Sequence, residues 1–367
     1  MSNTPFVLWL DDPSASGNPT LGGKFANLAE MTAAGFSVPP GFGVTTAAYR
    51  HFMAANGLTE EARRISKAAP DLKLAEIKGV TAPLLNGIAN APMPADLENE
   101  IRQGYARMEQ QSGVEALPVA VRSSGESEDL AGASFAGQYD TFLWIRGADV
   151  VLERIRACWA GMFGEAVLSY RVDGQTVIST GDYGMCVGIQ EMVQARAAGV
   201  MFTLNPLNGD RSKVVMEGVW GLGEGVVKGD ITPAQFTVDK VTLEIVNRKQ
   251  PPQTEEYRFV SELGTVGLVP IEAERQRVAC LTDEHVVKLA TLAKHIERAR
   301  KSPQDIEWAI SHKGELRVLQ VRPETVWSRK EVSSLVSATR SPVGHVLARF
   351  TGGRVTAQPG ALKEGKS

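Results

Sequence analysis

Apolar and polar positions along the chain change period several times, and each change predicts an element. Residues 7–10, Val-Leu-Trp-Leu, form a short apolar run that reads as a buried strand, followed by a polar turn region. From Gly22 the period lengthens: Phe25, Leu28 and Met31 fall on one helical face, and Gly35 is placed to end the helix. Val38-Pro39-Pro40-Gly41-Phe42 then forces extended chain. Thr45 or Thr46 caps a further helix carrying Tyr49, Phe52 and Met53. Residues 58–112 alternate charged and apolar positions as surface helices do. Ala148, Val151, Ile155, Trp159 and Met162 repeat at helical spacing, which predicts a core-facing stripe.

Elsewhere the period is two. A strand ends on Arg122, another starts near Tyr139, and Met185, Val187, Ile189, Glu191 and Val193 alternate with their neighbours. Further strands are expected over 199–204 and 213–217, and a hairpin over 234–248, whereas 251–270 shows no readable period. Thr282 caps a helix with Asp283 and Glu284 in its first turn and Arg298, Arg300 and Lys301 at its end, the charge order a helix dipole favours. Two strands close the series, 305–310 and 315–322, joined by a turn containing Lys313-Gly314.

At 367 residues, with 43% hydrophobic positions, the chain predicts two lobes, each with its own core. A net charge of −3 argues against a nucleic-acid partner held by a basic surface, and no apolar run reaches membrane-spanning length. Cys158, Cys186 and Cys280 have no paired spacing, and the N-terminus lacks a basic segment followed by an apolar one, so a reducing cytoplasm is expected. The five histidines lack zinc-site spacing. From Ser328 onward seven Lys/Arg stand against two Asp/Glu, a basic tail on an acidic body that reads as a linker or docking segment.

Candidate chemistry gathers in four places. Over 119–141, glycines at 125, 132 and 137 remove Cβ hindrance, hydroxyls and free amides act as donors, and Arg122 adds a fixed charge; polyphosphate binding and a plain polar loop both fit. Lys24 sits in the first turn of its helix, off the favoured end of the dipole, which fits either indifference or an anionic ligand. Gln190 and Glu191 interrupt an apolar strand, where an adenine edge or an exposed strand end would satisfy them. The glycine-rich run 217–229 does not match the dinucleotide fingerprint, since position 226 is Val.

In the closing hairpin, Asp305 and Glu307 share one face, as do Gln320 and Arg322. If Lys313-Gly314 are the two central turn residues, Glu307 lies opposite Gln320 and Asp305 opposite Arg322. An oxygen pair beside a guanidinium suits a magnesium–polyphosphate complex; a cross-strand salt bridge on a solvated face is the other reading.

Six stretches in this order resemble a known family. They are Leu21-Gly22-Gly23-Lys24, Ala120-Val121-Arg122-Ser123-Ser124, Ala133-Ser134-Phe135-Ala136-Gly137-Gln138, Gly199-Val200-Met201-Phe202, Trp220-Gly221-Leu222-Gly223-Glu224, and Asp305-Ile306-Glu307-Trp308 followed by Gln320-Val321-Arg322-Pro323-Glu324-Thr325. Together they resemble the ATP-grasp nucleotide domain of phosphoenolpyruvate synthase, pyruvate phosphate dikinase and rifampin phosphotransferase. The resemblance implies an α/β (α+β), two-lobed ATP-grasp fold of mixed or antiparallel sheets with helices and an ATP cleft between lobes. The N-terminal lobe is expected over 1–184, the C-terminal lobe over 185–327 and the tail over 328–367. It implies Lys24, Arg122 and Arg322 as catalytic residues. ATP would also be held by Gly137, Thr141, Gln190, Glu191 and Val193, and Mg²⁺ by Glu307 and Gln320. Glu126 stands where family members commonly carry a hydroxyl that could touch phosphate.

Members of the family phosphorylate a histidine in a Thr-x-His-Ala-Ala-like motif, and His345 does not fit that motif. The expectation is therefore a split dikinase whose phosphocarrier histidine lies on a partner subunit. Within the family, a separate ATP-binding chain resembles that of phenylphosphate synthase, which turns phenol, ATP and water into phenylphosphate, AMP and phosphate, with phenol bound on the partner. The alternatives are the ATP-binding part of a phosphoenolpyruvate synthase or rifampin-phosphotransferase-like enzyme, and a non-catalytic nucleotide sensor or scaffold.

Overall fold

The computed structural model describes residues 4–126, 140–169, 171–172, 175–176 and 183–327. The chain opens with β1 (Val7–Trp9), α1 (Gly22–Ala33), β2 (Gly41–Val44) and α2 (Thr46–Ala55), then three helices, α3 (Thr59–Ala68), α4 (Leu74–Asn90) and α5 (Ala95–Ser112). Next come β3 (Val119–Gly125), β4 (Thr141–Ile145), α6 (Ala148–Gly161), α7 (Glu165–Ser169) and the two-residue strands β5 (Arg171–Val172) and β6 (Gln175–Thr176). The second half holds β7 (Met185–Glu191), β8 (Ala195–Phe202), β9 (Lys213–Trp220), α8 (Glu224–Lys228), β10 (Ala234–Asp239) and β11 (Ile245–Lys249). It ends with β12 (Glu255–Val260), β13 (Thr265–Pro270), α9 (Asp283–Arg300), β14 (Gln304–Ser311) and β15 (Leu316–Pro323). The fold is α+β with antiparallel pairing throughout its two main sheets, β1-β2-β7-β3-β4 and β11-β10-β9-β8-β14-β15. The tail expected over 328–367 lies outside the described residues.

Each sheet has a helical cover fixed by the apolar stripes. The stripe on α6 puts Val151, Ile155 and Trp159 into a core with Phe42 and Phe52, all 0% exposed, and Met162 just beyond the helix joins them. The Thr282 hydroxyl accepts from the His285 amide at the start of α9, whose Val286, Leu289, Ala293 and Ile296 cover the second sheet with Trp308. Helix α1 lies close against β3, and Gly22 explains how: at φ +64°, a Cβ there would meet the Ser124 carbonyl oxygen at 2.1 Å. Ser124 Oγ donates to the Leu21 carbonyl and accepts from the Phe25 amide, tying the helix start to β3.

Three local expectations change. Strand β7 belongs to the first sheet, paired with both β2 and β3, and its residues 185–190 are buried on both faces, so Gln190 (2% exposed) is not at an exposed strand end. The glycine-rich run 217–229 is the end of β9 followed by the short helix α8 rather than one loop. Residues 251–270 contain a regular antiparallel hairpin, β12–β13, hidden in the sequence because its exposed positions carry both charged and apolar residues and blur the alternation.

Candidate active site

Gln320 and Arg322 reach their places by period-two alternation on β15, and Asp305 and Glu307 do so on β14. The pairing is Glu307 opposite Gln320 and Asp305 opposite Arg322, as the alternation predicts. The route differs from a two-residue turn. Ser311 pairs its amide with the Glu315 carbonyl around His312-Lys313-Gly314, with Gly314 at φ +80°, and a bulge between Glu307 and Trp308 then restores the register. Leu319 is the residue that the bulge leaves unpaired, and its carbonyl is turned to another use.

That use is Arg122, which projects from β3 of the first sheet. Its Nη1 donates to the Leu319 carbonyl at 2.8 Å, and its Nη2 donates both to Glu307 Oε2 at 3.0 Å and to Gln320 Oε1 at 2.9 Å. One guanidinium therefore joins the two sheets through three oxygens. Its side chain is 11% exposed and Gln320 is 4% exposed, so the bonds to Gln320 and Leu319 form largely out of water, whereas Glu307, 29% exposed, keeps contact with solvent. Lys24, from the first turn of α1, donates to the carbonyl of Ser123, the residue after Arg122, at 3.2 Å.

Beside this bridge, Arg322 Nε and Nη2 both reach Asp305 Oδ2 at 2.7 Å. Burial raises the Asp305 pKa above the ordinary carboxylate value, while the Arg322 charge and hydrogen bond oppose the rise. Asp305 was legible only through its register and its shared face with Glu307; the structure makes it a mostly buried member of the site, its side chain 12% exposed. Glu324 is buried too, and its carboxylate accepts from the Val326 and Trp327 amides, which fixes the exit of β15.

A cavity opens between the two sheets, and the bridge forms its polar end. Arg122, Thr141, Gln190, Glu191, Val193 and Glu307 all line it. The rest of its wall is mostly apolar, including Leu143, Met192, Ala195, Ala198, Leu222 and Leu319, while α8 contributes Val227 and the polar Glu224. Gln190 donates weakly to the Pro39 carbonyl at 3.4 Å. Burial raises the Glu191 pKa, against an opposing pull from Arg317. Lys24, Gln320 and Arg322 are not among the lining residues. Gly137 lies outside the described residues. Alternation gives no signal for Leu319, Ala195, Ala198 or Leu222, because a carbonyl and small apolar side chains carry no chemistry in their residue type.

Magnesium fits the donor set. Among the described residues no group of three or more His, Cys, Asp and Glu side chains gathers as a metal cage. Magnesium bound with a nucleotide uses one or two protein oxygens, phosphate oxygens and water. Glu307 Oε2 and Gln320 Oε1 are both within 3.0 Å of one positive nitrogen, so the two oxygens already converge on a single cationic point.

Glu126 has a different place. It accepts from Arg50 Nη2 at 2.6 Å and from the Gly184 amide at 2.8 Å, holding the end of β3 to the start of β7 and to α2. All three cysteines are buried thiols, with Cys158 and Cys280 each pushed up to about 12 by burial. No helix of the described residues is long and apolar enough to cross a membrane.

Comparison with known proteins adds a family. The model of the pyruvate phosphate dikinase AMP/ATP-binding domain matches residues 18–341. A probable phosphoenolpyruvate synthase of Staphylothermus marinus is 38% identical over 361 aligned positions, covering 90% of this chain and 43% of that protein. The phosphoenolpyruvate synthase of Aeropyrum pernix is 36% identical, covering 96% of this chain and 46% of that protein. That of Pseudomonas aeruginosa is 37% identical, with the same two coverages. The chain spans about half the length of the curated relatives it matches. Among solved structures, D-alanyl-alanine synthetase A of Vibrio cholerae aligns with 69% of this chain and 65% of that one at 11% identity and a TM-score of 0.23, too slight a likeness to argue from.

Proposed function

The chain belongs to the pyruvate phosphate dikinase AMP/ATP-binding domain family, a family of phosphotransferases, and from that premise we propose that it binds Mg-ATP between its two sheets. From there it passes a phosphoryl group to a histidine outside residues 4–327, as the ATP-binding part of a phosphoenolpyruvate synthase-like dikinase. The observation that carries this reading is the meeting of Arg122, Glu307 and Gln320 from two sheets at the polar end of the cavity, beside the Arg322–Asp305 pair. The relatives named above are phosphoenolpyruvate synthases, which favours pyruvate as acceptor. None of the relatives named above is a phenylphosphate synthase.

In this proposal the apolar wall takes the adenine ring, with Gln190, Glu191 and Val193 along its edge, while Lys24, Arg122 and Thr141 face the phosphates. Bound between Glu307 and Gln320, magnesium would neutralise phosphate charge. Arg322, held in orientation by Asp305, faces the group in transfer, and the two lobes closing on the nucleotide exclude water from it. Most of the catalysis is positioning and charge.

The test is acceptor dependence. The protein is purified from its native source with whatever chains accompany it, and AMP formation from ATP is followed by ³¹P NMR with pyruvate, with phenol and with neither. Pyruvate-dependent AMP release is expected. Phenol-dependent release would restore the phenylphosphate reading, and tight ATP binding with no AMP or phosphate formed under any condition would leave only a nucleotide-sensing role.

A further inference from the structure

The two oxygens that a metal would use are already bonded to a cation belonging to the chain. Arg122 Nη2 lies 3.0 Å from Glu307 Oε2 and 2.9 Å from Gln320 Oε1. A magnesium ion taking both oxygens would bring its charge against the guanidinium already bonded to them, so the two would compete for the pair. The guanidinium is largely out of water, its side chain 11% exposed, and the space beside it is the cavity that Arg122 lines. Moved off the oxygens without a new anion, it would be an uncompensated buried charge. Its Nε is buried and has no hydrogen-bond partner among the described residues, so one edge of the guanidinium is bonded and another donor remains unused.

We propose that Arg122 and a divalent cation exchange at Glu307 and Gln320, which makes metal and nucleotide enter together. The inference rests on the Mg-ATP reading above. With metal alone, Arg122 loses Glu307 and Gln320, keeps only the neutral Leu319 carbonyl and gains no anion; with nucleotide alone, Arg122 stays tied to Glu307 and is not offered to phosphate. With both, the metal takes the oxygen pair and Arg122 turns to the phosphates, so each ligand strengthens the binding of the other. Because the bridge joins β3 to β14 and β15, the same exchange replaces a direct link between the sheets with one made through the ligand.

Manganese is the probe, with the free ion read by electron paramagnetic resonance against the full chain. The non-hydrolysable analogue adenylyl imidodiphosphate serves as nucleotide. The wild type is expected to hold manganese far more tightly with the analogue than without it. Without nucleotide, Arg122→Met should bind manganese about tenfold more tightly than the wild type, and that gain should vanish in the Arg122→Met, Glu307→Gln double variant. Equal manganese binding by folded wild type and Arg122→Met, or a gain that survives Glu307→Gln, would overturn the exchange. If circular dichroism shows Arg122→Met unfolded, Arg122→Lys decides. Its ammonium keeps the charge but lacks the guanidinium fork, so the effect of the analogue on manganese affinity should shrink, and an undiminished effect refutes the proposal. A wild type that binds no analogue at any manganese concentration would remove the Mg-ATP reading, while the comparison made with manganese alone still decides whether Arg122 guards the oxygens.

Discussion

The two ends of the cavity are built by opposite means. At the polar end, Arg122, Glu307 and Gln320 come from three strands in two sheets and meet through directed bonds of 3.0 Å or less. At the other end, Leu143, Met192, Ala195, Ala198 and Leu222 form a wall with no directed bond to offer, only shape. A buried charged group depends on its partner, so one substitution there leaves another charge stranded. An apolar wall divides its contribution among many contacts, so truncating one residue does little and only overfilling does much.

The largest effect should follow Glu307→Ala, which removes a proposed metal oxygen and, among the described residues, the one anionic partner of Arg122 together. Phosphoryl transfer, measured as AMP release, should fall by at least about 10³-fold, in the range seen when a charge-stabilising group is removed. A fall of less than tenfold would place the chemistry elsewhere. Arg322→Ala comes next: transfer should drop about 10²-fold while nucleotide affinity by calorimetry changes little, since Arg322 is paired to Asp305 and is not part of the cavity wall. Wild-type turnover in that variant would remove Arg322 from the mechanism.

At the apolar end, Ala198→Leu should weaken nucleotide binding about tenfold or more by filling the slot, the affinity equivalent of about 1–3 kcal/mol of overpacking. Ala198 is 1% exposed, with its Cβ 3.7 Å from where a Cβ on Gly223 would stand, so space for the added carbons is small. Unchanged affinity would show that the base binds elsewhere.

How much of this was legible follows from how local each signal is. The shared faces of Asp305 with Glu307 and of Gln320 with Arg322 are set by the strand period, and their register survived even though the turn is longer than two residues, because the bulge at Leu319 restores it. The bulge itself had no signal, nor did the Leu319 carbonyl it frees. The apolar wall was equally silent, since Ala195, Ala198 and Leu222 look like any core residues until the two sheets face each other. Glu126 read as an altered phosphate position; its bonds to Arg50 and Gly184 join residues 76 and 58 positions away, a distance that no local pattern encodes. Residues 251–270 failed for a plainer reason: the β12–β13 hairpin exposes apolar Leu268 on the same strand that carries Thr265 and Pro270 to solvent, and a half-exposed strand of that kind has no clean period.

Two smaller effects sharpen the contrast. Glu126→Ala should lower the melting temperature by only about 1–2 °C, because Arg50 is half exposed and such pairs contribute little. Nucleotide affinity should not change, and a tenfold loss would make Glu126 part of the phosphate site after all. Glu191 gives the smallest. Burial raises its folded pKa above the ordinary value of 4.5, so the folded chain holds the proton more tightly than the unfolded one. Its contribution to stability is present in acid and is lost as pH rises through the raised value. Glu191→Gln should therefore raise the melting temperature by a degree or so at pH 7 and by nothing at pH 4; the opposite order would show that the charge is stabilised, not strained.

The central claim is that one cavity between the two sheets takes the whole nucleotide, base at the apolar end and phosphates at the bridge. Photolabelling with 8-azido-ATP and magnesium, followed by peptide mapping, tests it directly. Label is expected on the segments that carry Met192 to Ala198 and Leu222 to Val227, and it should be prevented by excess Mg-ATP. Label confined to peptides remote from these segments, or unaffected by Mg-ATP, would contradict the account.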